Sequence, residues 1–253
     1  MQDNIEKIRE DIIEGRNAVL EALRAGRAID KIYLAKGDVD KTLGHIASKA
    51  RDLGCVVVET DRRKLDAMSV THSHQGVIAL ASVRDYCSVD DILKIAADKN
   101  EPPFIIVCDE ISDPQNLGAI IRTAECVGAH GIIIPKRRSA GITATVGKIS
   151  AGAVEHVAVA RVSNLTSAIK DLKEAGLWIY GTAADGSSPL WKTDLSGPIC
   201  LVIGSEGDGM GRLITENCDF LISIPMKGKL SSLNASASAA VVMYEALRHR
   251  MGK

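Results

Sequence analysis

Apolar and polar positions fall into two patterns that meet near residue 84. In the first, helical spacing alternates with short β-branched runs. Asn17 to Ala25 sets Ala18, Val19, Ala22 and Leu23 on one helical face, and Gly26 suits a C-terminal stop. Lys31 to Ala35 reads as a strand, and Val39 to Leu53 as a helix ended by Gly54. Cys55 to Glu59 and Gly76 to Ala81 read as further strands. Together these describe a small α/β unit. Ser88 followed by Asp91 is a capping-box pattern and predicts an amphipathic helix from Val89 to Lys99, stopped by Asn100-Glu101-Pro102-Pro103.

From Phe104 onward, uninterrupted apolar runs alternate with helical stretches. The runs are Phe104–Cys108, Gly131–Ile134, Val157–Ala160, Trp178–Gly181, Ile199–Ile203 and Phe220–Ile224, and a long helix from Ala235 to Arg250 follows. Strands apolar at every position are buried on both faces, which predicts a parallel sheet covered by helices. The expected organisation is an α/β domain over residues 1–84, a linker or first helix over 85–103, and a second α/β domain over 104–253. Ligands in such sheets bind at the carboxyl ends of strands, so the loops after Val107, Ile203 and Ile224 are the places to search.

Composition narrows the chemistry. Aromatic residues make up 3% of the chain, so the cores are aliphatic, and recognition of single-stranded RNA mainly by base stacking is not expected. The net charge of −1 gives no general attraction to polyanions. A nucleic-acid partner would need local clusters: Arg62-Arg63-Lys64, Lys136-Arg137-Arg138, or Lys227 with Lys229. Each of these by itself reads as a solvated turn. The six cysteines form no Cys-x-x-Cys pair, and Cys55, Cys108 and Cys200 sit in apolar runs as reduced, buried thiols. The polar start Met-Gln-Asp-Asn-Ile-Glu-Lys is not a signal peptide, and no apolar run approaches the roughly 20 residues of a membrane span. A cytoplasmic protein is expected. No metal set is visible: His72 and His74 read as surface histidines of a polar loop, and His130 as structural.

Three loops stand out. Asp113 to Ala124 follows a strand and opens a helix; Asn116 can cap it or read a substrate, Gly118 permits close backbone approach, and Arg122 follows one turn later. A capped helix with a surface arginine explains the same residues. Gly204 to Gly211 holds four glycines in eight residues, which implies unusual torsions or a ligand pressed on main chain. It lacks both the dinucleotide fingerprint and the phosphate-loop ending. Ile224 to Ala239 runs from a strand end through Ser232 and Asn234 into the last helix, whose first turn is built of small residues.

Jointly, these segments resemble the three signature motifs of the SpoU (TrmH-like) family of RNA ribose 2′-O-methyltransferases. They are Asn-x-Gly-x-x-x-Arg, Gly-Ser-Glu-Gly-x-Gly, and Ile-Pro-Met followed by Ser-Leu-Asn-x-Ser-x-Ala, over about residues 104–250. Gly15 to Leu23 and His74-Gln75-Gly76-Val77 are similar to the family's substrate-binding domain, which is folded like ribosomal protein L30. The whole-length pattern looks most like the subgroup acting on a guanosine in the P-site loop of 23S rRNA. The resemblance implies a SPOUT-type parallel sheet with a C-terminal trefoil knot, a homodimer, and rRNA or an assembling large subunit as partner. It implies S-adenosylmethionine as cofactor, held by Gly204, Glu206, Gly207, Ile224, Met226, Ser232 and Leu233. Arg122, Asn116, Glu206, Ser232 and Asn234 are the implied catalytic set, with no metal.

Methyl transfer from a sulfonium needs no acid catalyst. It needs alignment of oxygen, methyl and sulfur, and removal of the hydroxyl proton. The resemblance puts Arg122 in the base role, yet guanidinium is effectively always protonated. Two versions stay open: an unusual site deprotonates Arg122, or charged Arg122 stabilises the alkoxide while phosphate or water takes the proton. An RNA substrate makes Arg62, Arg63, Lys136, Arg137 and Arg138 candidate phosphate contacts, with Arg16 and Asn17 beside them. The competing classes are the same chemistry on tRNA or on an antibiotic-site rRNA, a non-catalytic rRNA-binding assembly factor, and a nucleotide-binding oxidoreductase, which lacks its own fingerprint.

Overall fold

The computed structural model describes residues 11–37, 40–186, 188–205, 207 and 209–252. The chain divides into two compact units. One takes in the chain up to Asp85 with Gly141–Thr145, and the other Tyr86–Ala140 with the chain from Val146 on.

The first unit is built on a four-stranded sheet in the order β1-β4-β2-β3. Its strands are β1 (Ile12–Glu14), β2 (Ile29–Ala35), β3 (Val56–Thr60) and β4 (Val77–Ala81). β3 lies parallel to β2, and β4 is antiparallel to both β1 and β2. Side chains alternate along a strand, so Ile32 and Leu34 of β2 face one way and Lys31 and Tyr33 the other. The first face is covered by α1 (Arg16–Arg24) and α2 (Lys41–Asp52), whose Val19, Leu23, Leu43 and Ile46 pack on Ile32, Leu34, Val77 and Ala79. On the second face a short helix, α3 (Arg62–Met68), sets Leu65 and Met68 against Ala35 and Ile78. Arg62-Arg63-Lys64 therefore opens a helix and is not a turn. Seven residues give the periodicity too little length to show, and Leu65 anchors the helix by burial.

The second unit carries a seven-stranded sheet in the order β7-β6-β5-β10-β8-β11-β9. The strands are β5 (Phe104–Cys108), β6 (Gly131–Pro135), β7 (Ala158–Val162), β8 (Trp178–Thr182), β9 (Ser188–Pro189), β10 (Ile199–Ile203) and β11 (Phe220–Ser223). Every pairing is parallel. β5 and β10 pair in register along their whole length, and each of their residues is buried. Burial at this level contributes about 1.5–3 kcal/mol per large apolar side chain. The helices are α4 (Val89–Asp98), α5 (Pro114–Cys126), α6 (Ala144–Ile149), α7 (Leu165–Glu174), α8 (Arg212–Asn217) and α9 (Ala235–Arg250). α4 starts at the capping box of Ser88 and Asp91 and sends Ile92 into the core with Ile105, Ile133, Ile169 and Val202.

Two histidines are structural. His130 Nδ1 accepts from the Phe104 N–H at 2.9 Å and Nε2 lies 3.1 Å from Glu101, so the ring proton sits on Nε2. Burial lowers its pKa against the opposing pull of Glu101. His74 is buried, accepts from the Gly76 N–H at 3.0 Å and meets Asp66 at 3.0 Å. It is thus not the surface partner of His72 that its polar loop suggests. Cys108 and Cys200 are buried as expected, whereas Cys55 is only partly so. Among the described residues no group of His, Cys, Asp or Glu could hold a metal ion, and no helix is long and apolar enough to cross a membrane.

Candidate active site

A cavity of about 510 Å³ opens at the carboxyl ends of three neighbouring strands, β10, β8 and β11. The fold dictates this place, because parallel strands end together there and their loops must turn away. Gly204 and Gly207 enter from the loop after β10, Ile224 and Met226 from the chain after β11, and Ser232 and Leu233 from the approach to α9. Ile224, Met226 and Leu233 give it an apolar wall, with the Ser232 hydroxyl beside it.

The glycine-rich loop folds back on itself. Ser205 and Gly209 exchange backbone hydrogen bonds at 2.9 and 3.1 Å, with Gly209 at φ +67°. A Cβ on Gly204 would lie 2.4 Å from Gly209 C and 2.5 Å from Met210 N, so no other residue fits without moving the loop. The loop's far end is pinned by Asp109, at the end of β5, whose Oδ2 accepts from the Gly211 N–H at 2.7 Å. Burial raises the Asp109 pKa, this bond lowers it, and neighbouring Glu110 raises it. Glu206 lies outside the described residues.

Asn116 and Asn234 meet beside this region. Asn234 is the N-cap of α9: its Oδ1 accepts from the N–H groups of Ser236 at 3.0 Å and Ala237 at 3.2 Å. That use of the oxygen fixes the amide's orientation, and its Nδ2 donates to Asn116 Oδ1 at 2.9 Å. Asn116 is buried in the first turn of α5, so the cap of one helix is tied to the start of another.

Gly118 and Arg122 are one turn apart on α5 but in different surroundings. A Cβ on Gly118 would come within 2.6 Å of the Ile149 side chain, so this glycine seats α5 on the end of α6. Arg122 is exposed and has no hydrogen-bond or ion-pair partner among the described residues. It is not among the residues lining the cavity.

The basic candidates are spread out. Arg62 and Arg63 are exposed on α3, and Arg137 and Arg138 are exposed after β6, where Arg138 pairs with Glu110 at 3.0 Å. Lys136 is half-buried and its carbonyl accepts from Arg161 at 3.1 Å. Arg16 is engaged within its own unit: Nε donates to Gln75 O at 3.1 Å and the guanidinium pairs with Asp40. Asn17 next to it is exposed.

Two contributors escape a reading of the sequence. Asp109 looks like a loop residue after a strand. The other is the segment Thr182–Asp185 at the end of β8 and just beyond it, which lines the cavity. It is held by Gly186, where a Cβ would lie 2.7 Å from the backbone of Ile222. The single glycine at the end of an apolar run was its only signal. Conversely, the loop after β5 does not line the cavity; it supplies Asp109, and α5 beyond it supplies Asn116.

Comparison with known proteins identifies the family. The profile of the SpoU rRNA Methylase family matches residues 103–244, and one described as RNA 2′-O ribose methyltransferase substrate binding matches residues 12–87. A candidate TrmH family tRNA/rRNA methyltransferase of Bacillus subtilis, YacO, is 48% identical over 240 residues, covering 95% of this chain and 96% of its own. Among solved structures, an AdoMet-bound rRNA methyltransferase of Sinorhizobium meliloti superposes with a TM-score of 0.59 at 25% identity, over 98% of this chain and 91% of its own. A TrmH/SpoU tRNA modifying enzyme of A. aeolicus aligns with a TM-score of 0.56 at 27% identity, over 64% of this chain and 84% of its own.

Proposed function

Since the chain belongs to the SpoU rRNA methylase family and is an RNA methyltransferase of TrmH/SpoU kind, we propose that it transfers a methyl group from S-adenosylmethionine to the ribose 2′-hydroxyl of a guanosine in the P-site loop of 23S rRNA. The carrying observation is the cavity at the ends of β10, β8 and β11. Its volume lies within the roughly 300–1,000 Å³ of small-molecule sites. The absent Cβ at Gly204 lets the loop fold tightly back on Gly209 and Met210, which fixes the shape of this wall of the cavity. The apolar wall of Ile224, Met226 and Leu233 suits an adenine, and Gly204, Gly207 and Ser232 offer polar contacts. Glu206 belongs to the same proposed set. When bound, the cofactor supplies a methyl group already activated on a sulfonium.

The protein's task is then to position and charge-stabilise the ribose oxygen. The bridge between Asn116 and Asn234 fixes two amides at the rim. Arg122 in its charged form stabilises the developing alkoxide, and a phosphate or water accepts the proton. Arg122 lies outside the cavity lining of its own chain, which favours a homodimer in which each copy's Arg122 serves the other's cavity. The trefoil knot implied by the sequence motifs belongs to the same reading. An rRNA substrate is favoured over tRNA because the likeness to an rRNA methyltransferase extends over the substrate-binding unit. Arg62, Arg63, Lys136, Arg137 and Arg138 are the proposed phosphate contacts, with Asn17 and the engaged Arg16 as weaker ones.

The test is transfer from labelled S-adenosylmethionine to unmethylated 23S rRNA, assembled large subunits and tRNA, with products mapped by nuclease digestion and mass spectrometry. One 2′-O-methylguanosine in the P-site loop is expected. Methylation at another nucleotide, or of tRNA, keeps the chemistry and overturns the target. Cofactor binding without transfer to any of the three overturns the enzyme in favour of an assembly factor.

A further inference from the structure

The sheet of the first unit has one closed and one half-open face. α1 and α2 close the first. On the second, the strand registers set Ile12, Leu80, Lys31 and Val56 in one row, and Ile78, Tyr33 and Val58 in the next. α3 covers the Ala35 and Ile78 end, and Ile12 and Tyr33 pack against the edge of that cluster. Ile12, Leu80, Lys31, Tyr33, Val56 and Val58 all remain partly exposed.

Tyr33, half-buried, lies at the border between the part that α3 covers and the partly exposed rows. Two ammonium groups approach its ring, Lys31 Nζ at 5.9 Å and Lys64 Nζ at 5.3 Å from the centroid. Arg62 and Arg63 are exposed beside Lys64 on α3. Glu14 accepts from Ser69 Oγ at 2.6 Å and Thr71 Oγ1 at 2.8 Å, and Asp66 meets His74. Glu59 alternates onto the opposite face of β3. An aromatic ring on an open sheet face, flanked by flexible cations, matches a polyanion that carries flat bases. Lysine stems can swing from the ring to phosphates, leaving the ring face to a base.

We infer that Tyr33 is a stacking platform for an unpaired base of the RNA substrate, with Lys31 and Lys64 contacting the flanking phosphates. The inference deepens the RNA-methyltransferase reading and rests on it. It also revises the expectation that a chain so poor in aromatic residues avoids stacking: one ring, correctly placed, is enough for one base.

The experiment measures fluorescence anisotropy of the full chain with a labelled unpaired RNA heptamer and with the same strand fully paired, across a salt series. Tyr33 also packs near Leu65 and Ile78, so Tyr33→Leu, which keeps apolar bulk, is paired with Tyr33→Phe, which keeps the ring. Tyr33→Leu should weaken heptamer binding by about 5- to 100-fold with an unchanged salt slope, while Tyr33→Phe stays near wild type. The double variant Lys31→Ala/Lys64→Ala should lower the slope by about 1.4, for two single-strand phosphates. Ultraviolet cross-links from the heptamer should map to Tyr33. Binding of the heptamer by Tyr33→Leu as tightly as by wild type overturns the inference, as does equal loss in Tyr33→Phe. Wild type is also tested on 23S rRNA: methyl transfer there with no effect of Tyr33→Leu sinks only the stacking platform, whereas no RNA binding by wild type sinks the RNA reading itself.

Discussion

Asn234 has two separable duties, and substitution can divide them. Its Oδ1 caps α9 and its Nδ2 donates to the buried Asn116. Asn234→Ala removes both. Loss of an N-cap costs about 1 kcal/mol and loss of the side-chain hydrogen bond about another 1 kcal/mol. The sum of roughly 2 kcal/mol lowers the melting temperature of a domain this size by about 4–8 °C. Serine caps as well as asparagine but is too short to bridge, so Asn234→Ser should lose only about 1 kcal/mol, or about 2–4 °C. Because Ser232 and Leu233 lead directly into this cap, the lost bridge should also loosen the cavity rim. A drop of roughly tenfold in methyl-transfer kcat is expected for Asn234→Ser. Thermal unfolding of the full chain and single-turnover methylation of 23S rRNA measure the two effects. Asn234→Ser melting with wild type and transferring at the wild-type rate would refute the bridge, leaving Asn234 as a helix cap alone.

Arg122→Ala should reduce kcat by at least about a hundredfold and leave stability within about 0.5 kcal/mol, because the side chain is exposed and unpartnered among the described residues. If each Arg122 serves the other copy's cavity, mixing Arg122→Ala with Gly204→Ala subunits restores about one quarter of wild-type activity; no recovery after confirmed subunit exchange places arginine and cavity in one chain. Gly118→Ala should destabilise by about 1–3 kcal/mol in urea unfolding, since its Cβ would collide with Ile149, and a neutral result would show that α5 shifts freely. Folded His130 holds its proton less readily than its ordinary 6.5, so the stability it contributes is present above pH 6.5 and lost as pH falls through its lower folded pKa. His130→Gln should therefore flatten the urea-midpoint profile just below pH 6.5, and an unchanged profile would assign that slope to other groups.

The strands of the second unit were legible because burial on both faces makes them continuous apolar runs: β5 and β10 fall at Phe104–Cys108 and Ile199–Ile203 in sequence pattern and structure alike. α9 was legible for a different reason, an asparagine cap followed by small helix formers. β1 and α3 were not. Three and seven residues carry no readable period, and both are held by partners distant in sequence, β4 for β1 and Ala35 with Ile78 for α3. Around the site, glycine spacing announced an unusual loop, but not that Gly204 presses on Gly209 and Met210. Nor did it announce that Asp109, 102 residues away, pins that loop at Gly211. β8 delivers Thr182–Asp185 to the cavity only because β8 lies between β10 and β11, an adjacency set by strand order and invisible to local pattern.

The central claim is that the cavity at the ends of β10, β8 and β11 holds S-adenosylmethionine. Isothermal titration of the full chain with the cofactor, wild type against Gly204→Ala, tests it directly, with circular dichroism confirming that the variant is folded. The account predicts saturable binding to wild type and a loss of at least about tenfold in affinity for Gly204→Ala, because the added Cβ pushes the loop from its place. Equal affinity in the two proteins would place the cofactor elsewhere, and no binding to wild type would contradict the cofactor assignment itself.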